Sequence, residues 1–135
     1  MQLEHFDDLL LAARSQTQPQ RLLLLFAVAE LPEDATAQQR ADFAAGHGGA
    51  LVPAMCVDKD PDELTGFAAL AQEAAQMGAP WHMVFVSTLS GSQGQPPAAE
   101  RVETALNHMV SALQQGAIGN MLPFNREGDA VTLGA

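Results

Sequence analysis

The strongest hydrophobic signal in the chain is the run "RLLLLFAVAEL", residues 21–31, in which apolar residues follow one another without a polar period. Pro19 and Pro32 bound the run. Its length suits either a buried strand or a short helix. We interpret it as a strand, because the two prolines leave little room for helix caps. For residues 22–29 the helical alternative stays open.

Two later segments predict further strands. "ALVPAMCV" (50–57) is apolar but contains Pro53, which cannot donate to a sheet ladder. That strand should therefore lie at a sheet edge or be bulged there. "WHMVFVSTL" (81–89) is rich in aromatic and β-branched residues, which is typical of a strand. Near the end of the chain, "MLPF" and "AVTL" flank "NREGD", a pattern that predicts a hairpin.

Four segments predict helices. Apolar residues follow a helical stripe over residues 3–14 and again over about 98–115. A capping box of Thr36 and Gln39 predicts a helix over 37–45. In "MCVDKDPDEL" (55–64), Asp60, Pro61 and Glu63 have the order of a cap, a first helical proline and a reciprocal acid, which predicts a helix from there to Met77.

Strands alternating with helices predict an α/β (or α+β) fold. We expect a single layered domain over residues 1–135, with a mixed sheet of four to five strands and about four helices.

Composition narrows the possible partners. Hydrophobic residues make up 47% of the chain, enough for a core, and the formal charge is −10. A field of that sign repels phosphate backbones and anionic lipid surfaces, so we expect no nucleic-acid partner and no membrane. One cysteine cannot form an internal disulfide or a multi-thiolate zinc site, and it fits a reducing compartment. The N-terminus has acids and no basic region of a signal peptide, so we expect a cytoplasmic protein.

The acids of 55–64 resemble a calcium loop only superficially. Asp58, Asp60 and Asp62 have the right first spacing, but Glu63 stands where the loop needs glycine and Ala69 where it needs glutamate. Helix capping explains these acids better, and we expect neither a metal nor another cofactor.

Cys56 is the only candidate nucleophile of its type, but the neighbouring aspartates disfavour its thiolate. Strand alternation puts it with Val52 and Ala54, which predicts a small buried side chain. "SGSQG" (90–94) follows a strand and has amides that suit an anion, yet it lacks both common phosphate-loop spacings. We therefore predict no catalytic residue. The candidate ligand or interaction residues are Cys56, Asp58, Lys59, Asp60, Ser90 and Ser92.

The runs "GGALVPAMCVDKDPDEL" and "GNMLPFNREGDAVTLGA" resemble a family of short bacterial proteins, some of which are labelled ribonucleotide reductase subunit alpha. That reaction uses several cysteines, so with Cys56 alone no catalytic residue carries over. A weaker resemblance in element order is to SseB-type domains, which implies a binding module.

Three functions follow as hypotheses. We favour a non-enzymatic protein-interaction or self-associating module. The alternative is a small-molecule-binding or catalytic domain that uses the strand-end loops 56–60 and 87–94. The third is a redox-responsive thiol at Cys56.

Overall fold

The computed structural model describes residues 3–31, 34–44, 50–78 and 80–131. Four α-helices and one four-stranded sheet form in this part of the chain, which confirms the predicted α/β domain. In chain order the elements are α1 (Phe6–Arg14), β1 (Gln20–Glu30), α2 (Ala37–Ala44), β2 (Ala50–Lys59), a 3-10 helix (Pro61–Glu63), α3 (Phe67–Gln76), β3 (Met83–Ser90), α4 (Ala99–Gln114) and β4 (Leu122–Phe124).

The strand order in the sheet is β2-β1-β3-β4, and each neighbouring pair runs antiparallel. The sheet is therefore not mixed as expected. The reason lies in the connections. β1 runs antiparallel to both β2 and β3, and β3 also runs antiparallel to β4. A parallel pair would need a crossover connection that brings the chain back to the end of the sheet at which the first strand began.

The run at residues 21–31 is a strand, as interpreted, and it is buried on both faces. Leu22, Leu24 and Phe26 face one hydrophobic core, which α1 and α3 cover. Leu23 and Leu25 face a second core, which α4 covers. Because β1 is central and covered on both sides, alternation of polar and apolar residues disappears from its sequence.

The second strand has both features that Pro53 predicted. β2 lies at the edge of the sheet, and its register with β1 shifts between Phe26 and Ala27. The shift leaves Ala54 as the extra residue, since Met55 lies opposite Phe26 and Pro53 opposite Ala27. A bulge of this kind bends an edge strand and interrupts its pairing surface.

The capping prediction at residue 60 is right, but the helix that it was expected to start is not continuous. Asp60 and Glu63 form the reciprocal cap, although only of the three-residue 3-10 helix. The chain is extended at Leu64, and α3 begins after Gly66. The Asp7 carboxylate accepts a hydrogen bond from the Phe67 amide at 2.8 Å. A side chain from α1 therefore supplies a partner for the first turn of α3.

The other element predictions hold closely. The capping box of α2 is present, since the Gln39 amide donates to Thr36 Oγ1 at 3.1 Å and the Thr36 amide to Gln39 Oε1 at 2.8 Å. The predicted end of that helix, residue 45, lies outside the described residues. The turn at 125–129 follows β4 as expected, and Ala130 bridges to Phe124. Most of "AVTL" lies outside the described residues.

The two ends of the described chain are tied together at Gly128. The Phe6 amide donates to the Gly128 carbonyl at 2.7 Å, and the Ala130 amide to the Glu4 carbonyl at 2.8 Å. Gly128 has φ +86°, and a Cβ there would lie 2.7 Å from His5 Nε2 and 2.7 Å from Phe67 Cγ. Both the left-handed backbone and the close approach of these rings require glycine.

We predict that Gly128→Ala lowers the free energy of unfolding by about 2–4 kcal/mol, from left-handed strain and overpacking together. Gly119→Ala is the matched control, because a Cβ at Gly119 meets no atom within 4 Å and needs no positive φ. Urea denaturation of both variants measures the difference. Equal stability of the two variants would contradict this account of the junction.

Candidate functional site

The two strand-end loops singled out from the sequence do lie at the same end of the sheet. Lys59, near the end of β2, is opposite Leu22 of β1, and Ser90, at the end of β3, is opposite Gln20. β1 separates the two loops by one strand. The strand order therefore allows loops 56–60 and 87–94 to line one crevice.

The connector between α1 and β1 occupies most of the space between these loops. The Gly91 amide donates to the Pro19 carbonyl at 2.8 Å, and the Gly94 amide to Gln18 Oε1 at 2.9 Å. What remains is a cavity of about 250 Å³. Of the six candidate residues, only Asp60 lines this cavity. The structure therefore does not bring the candidate side chains together around one ligand space.

Asp58 and Lys59 are used in ion pairs with neighbouring elements. Arg21 Nε donates to Asp58 Oδ2 at 2.7 Å, and its Nη1 lies 3.3 Å from Glu63 Oε1. Lys59 Nζ donates to Glu73 Oε1 of α3 at 2.5 Å. These contacts fix the end of β2 against β1 and α3, and they balance the charges of both candidates locally.

Asp60, Ser90 and Ser92 also have structural partners. Asp60 Oδ1 accepts from the Asp62 amide at 2.9 Å as the cap of the 3-10 helix. Ser90 Oγ accepts from Gln20 Nε2 at 2.9 Å and lies 3.1 Å from Gln20 Oε1. The Ser92 backbone bonds to that of Gln95 in both directions, at 3.0 and 2.9 Å. Each of the three holds a turn or a strand end in place.

Cys56 is exposed, contrary to the expectation of a buried side chain. Two facts explain the difference. β2 is an edge strand, and the bulge at Ala54 breaks the alternation on which the expectation rested. Cys56 lies opposite Leu25, on the α4 side of the sheet. Partial desolvation there raises the pKa of the thiol above its usual value, which disfavours the reactive thiolate.

The direction of each backbone group in the sheet follows from one hydrogen bond. Gly91 and Pro19 continue the β1–β3 register, and the Gly91 amide donates to the Pro19 carbonyl. In an antiparallel pair, hydrogen-bonded and non-hydrogen-bonded positions alternate. Leu23 and Leu25 therefore turn their backbone groups toward β3, and Leu22, Leu24 and Phe26 turn theirs toward β2.

The same alternation identifies the open edge of the sheet. On β2, Met55, Val57 and Lys59 bond to β1, so Cys56 and Asp58 direct their amides and carbonyls outward. Pro53 also has the outward orientation, where its missing amide hydrogen costs the sheet nothing. No backbone hydrogen bond links residues 50–59 to any described residue other than those of β1. We call this outward row the β2 edge.

No cluster of three or more His, Cys, Asp or Glu that could hold a metal ion occurs among the described residues. Within the same part of the chain, no helix is long and apolar enough to cross a membrane. A scan of protein-family models, a search of curated proteins and a search of solved structures each found no match to the chain. The resemblances noted from the sequence stay predictions.

Sequence reasoning missed the Arg21 and Glu73 partners, because both lie far from their acid or base along the chain. It also missed the outward orientation of Cys56 and Asp58. Pro53 was the one sequence signal for this orientation, because a proline fits where the amide faces away from the neighbouring strand. Strict alternation from Pro53 would point the backbone groups of residues 55 and 57 outward, but the bulge at Ala54 moves the outward positions to Cys56 and Asp58.

We predict that Cys56 reacts with a small thiol reagent in the native protein without denaturant, since its side chain is exposed. The rate should rise about tenfold per pH unit without levelling off through neutral and mildly alkaline pH, because partial burial raises the pKa of the Cys56 thiol above its usual value. Stopped-flow labelling over a pH series measures this. A rate that levels off near neutral pH would instead indicate an activated thiol and support the redox hypothesis.

Proposed function

We propose that the protein is a non-enzymatic interaction module that associates with a second copy of itself through the β2 edge. One observation carries the proposal: Cys56 and Asp58 direct unpaired backbone donors and acceptors outward from an edge strand. An open row of this kind is a template for pairing with another strand.

The edge itself selects the register. Pro53 and the bulge at Ala54 interrupt pairing in the first half of β2, which leaves residues 55–59 open. Two antiparallel copies related by a two-fold axis fit best when Val57 faces Val57 of the second copy. Cys56 of each copy is then opposite Asp58 of the other. Both residues face outward, so this register gives four hydrogen bonds between the two sheets.

The local charges suit this pairing even though the whole chain carries −10. Arg21 already balances Asp58, and Glu73 already balances Lys59. In the proposed register the aliphatic stem of Lys59 passes Met55 of the second copy, and no two unbalanced acids face each other. The repulsion that remains is long-range, and salt screens long-range repulsion effectively.

The side chains that flank the edge also favour association. Met55 and Val57 are half-buried against the first core, and Leu51 is half-buried against the second. Continuing the sheet into a second copy would bury more of their apolar surface, at about 25 cal/mol per Å². A heterologous partner strand would use the same edge, and its contact surface would be apolar or basic. We place this activity in the cytoplasm, which suits a chain with a single cysteine.

We predict a dimer by size-exclusion chromatography with light scattering, and a dimer fraction that rises with salt. Cys56→Pro should weaken dimerisation by about tenfold or more, since it removes two of the four intermolecular hydrogen bonds by symmetry. The outward amide of Cys56 does not bond to β1, so the variant should keep its fold. Cys56→Ser is the matched control and should dimerise normally.

Leu11→Glu distinguishes this surface from an apolar patch on α1, because Leu11 is 58% exposed there. The substitution should leave the dimer intact. A monomer at every salt concentration, or a dimer that Leu11→Glu abolishes and Cys56→Pro does not affect, would overturn the proposal.

The register predicts a second, independent result. Val57 faces its own copy at a non-hydrogen-bonded position, where Cα atoms are about 4.5 Å apart, close enough for a disulfide. Cys56 is opposite Asp58, which puts the two Cys56 residues on a diagonal beyond that reach. The double variant Cys56→Ser, Val57→Cys should therefore form a disulfide-linked dimer under mild oxidation, and the natural chain should not. Efficient cross-linking through Cys56 would reject this register.

A further inference from the structure

A cavity lies on the α4 face of the sheet, toward β3 and away from the proposed dimer edge. It is an open groove of about 1150 Å³ between α4 and the second half of β3. α4 forms one wall, and the segment before β4 forms one end with Asn120 and Met121. Ligand pockets of about 300–1,000 Å³ hold drug-sized molecules, so this groove has room for a longer ligand.

The groove runs along a part of the sheet that lacks its neighbouring strand. β4 is only three residues long and pairs with Val84–Val86. Beyond Val86 the chain before β4 turns away, so Ser87–Ser90 pair with β1 on one side and with no described strand on the other. β3 therefore has an open edge where it borders the groove.

The alternation of backbone bonds shows which groups are open. Ser87 and Leu89 bond to Leu23 and Arg21 of β1, so Thr88 and Ser90 face outward. Pro123 supports this assignment, because it lies opposite Phe85, where an amide hydrogen is not needed. Arg101 Nη1 lies 3.4 Å from the Ser90 carbonyl. The Thr88 amide and carbonyl and the Ser90 amide remain without a backbone partner among the described residues.

These open groups specify the backbone of an occupant. Only an extended chain presents donors and acceptors at strand spacing, and an extended peptide that adds to a sheet edge uses them all. A peptide residue opposite Thr88 would form two backbone hydrogen bonds with it, one to the Thr88 amide and one to the Thr88 carbonyl. The residues before and after it would then direct their side chains toward α4, because they lie opposite Leu89 and Ser87, which share that face.

The lining on that face specifies the side chains. Its apolar part consists of Leu23, Leu89, Ala105, Met109, Ala112, Ala117 and Met121. The rest of the lining is mostly uncharged and polar, with Glu100, Arg101 and His108 as its titratable groups. Glu100 and Arg101 contribute opposite formal charges to the lining, while the whole chain carries −10. The groove therefore matches a peptide with apolar side chains two positions apart and without acidic residues.

We infer that the groove between α4 and Ser87–Ser90 is a binding site for an extended, non-acidic peptide segment that adds as a strand to the open half of β3. The site is separate from the β2 edge, which lies two strands away across β1. The two proposals can therefore fail independently.

The test is selection from a random peptide library against the full chain, followed by NMR titration of the selected peptide into ¹⁵N-labelled protein. Selected sequences should have apolar residues at alternate positions and few acids. Saturable shifts should appear at the amides of Thr88 and Ser90 and along the α4 wall. Replacing the central peptide amide by its N-methyl form should weaken binding by about tenfold or more.

A matched pair of variants isolates the backbone contact. Thr88→Pro removes the outward amide hydrogen and leaves the ladder with β1 intact, so the fold should persist by circular dichroism while binding falls by about tenfold or more. Thr88→Val keeps that amide and should bind normally. Cys56→Pro should also bind normally. The inference would be overturned if no selected peptide bound Thr88→Val more tightly than Thr88→Pro. NMR shifts confined to Cys56 and Asp58 would also overturn it.

Discussion

The rest of the structure depends on the burial of β1 on both faces. Leu22, Leu24 and Leu25 are fully buried, and they belong to two different cores on opposite sides of the sheet. One strand therefore holds α1 and α3 on one side and α4 on the other, while its backbone bonds to both β2 and β3. The two strands that flank β1 differ in what lies beyond them: β2 is the edge of the sheet, and β3 pairs with β4 only over Val84–Val86.

Several helix and strand ends are held by long-range partners. His5 caps α1 by accepting from the Asp7 amide through Nδ1 at 3.0 Å, and its Nε2 lies 2.9 Å from the Glu127 carbonyl. The Arg14 side chain donates to the carbonyls of Pro61 and Leu64. α1 thereby fixes the chain that leads into α3 as well as the turn that follows β4. This network gives many of the polar residues at the ends of elements a structural partner.

Strand pairing is incomplete on β2 and on β3 within the described part of the chain, and both places border partly exposed apolar side chains. On β2 the pairing row is shortened by Pro53 and a bulge; on β3 it is left open because β4 is short. Natural sheets block open edges with prolines, bulges and charges. Here the proline and the bulge lie in the first half of β2, and Ser87–Ser90 has none of the three devices. Over Cys56–Asp58 the one charge, on Asp58, is paired with Arg21 of β1. The proposed interactions are both confined to the unblocked stretches.

The sequence by itself determined most of the element types, the interrupted pairing at Pro53 and the caps at Thr36 and Asp60, because these depend on local hydrogen bonds, periodicity and the chemistry of proline. It left residues 22–29 open between strand and helix, and β2 open between an edge strand and a bulged one. Only the tertiary structure decided that the sheet is antiparallel, that α3 starts at Phe67, and that Cys56 is exposed. Strand direction depends on which distant segments pair, the start of α3 depends on a carboxylate from α1, and exposure depends on a bulge set by register. These are contacts between residues far apart in the chain, and local patterns do not contain them.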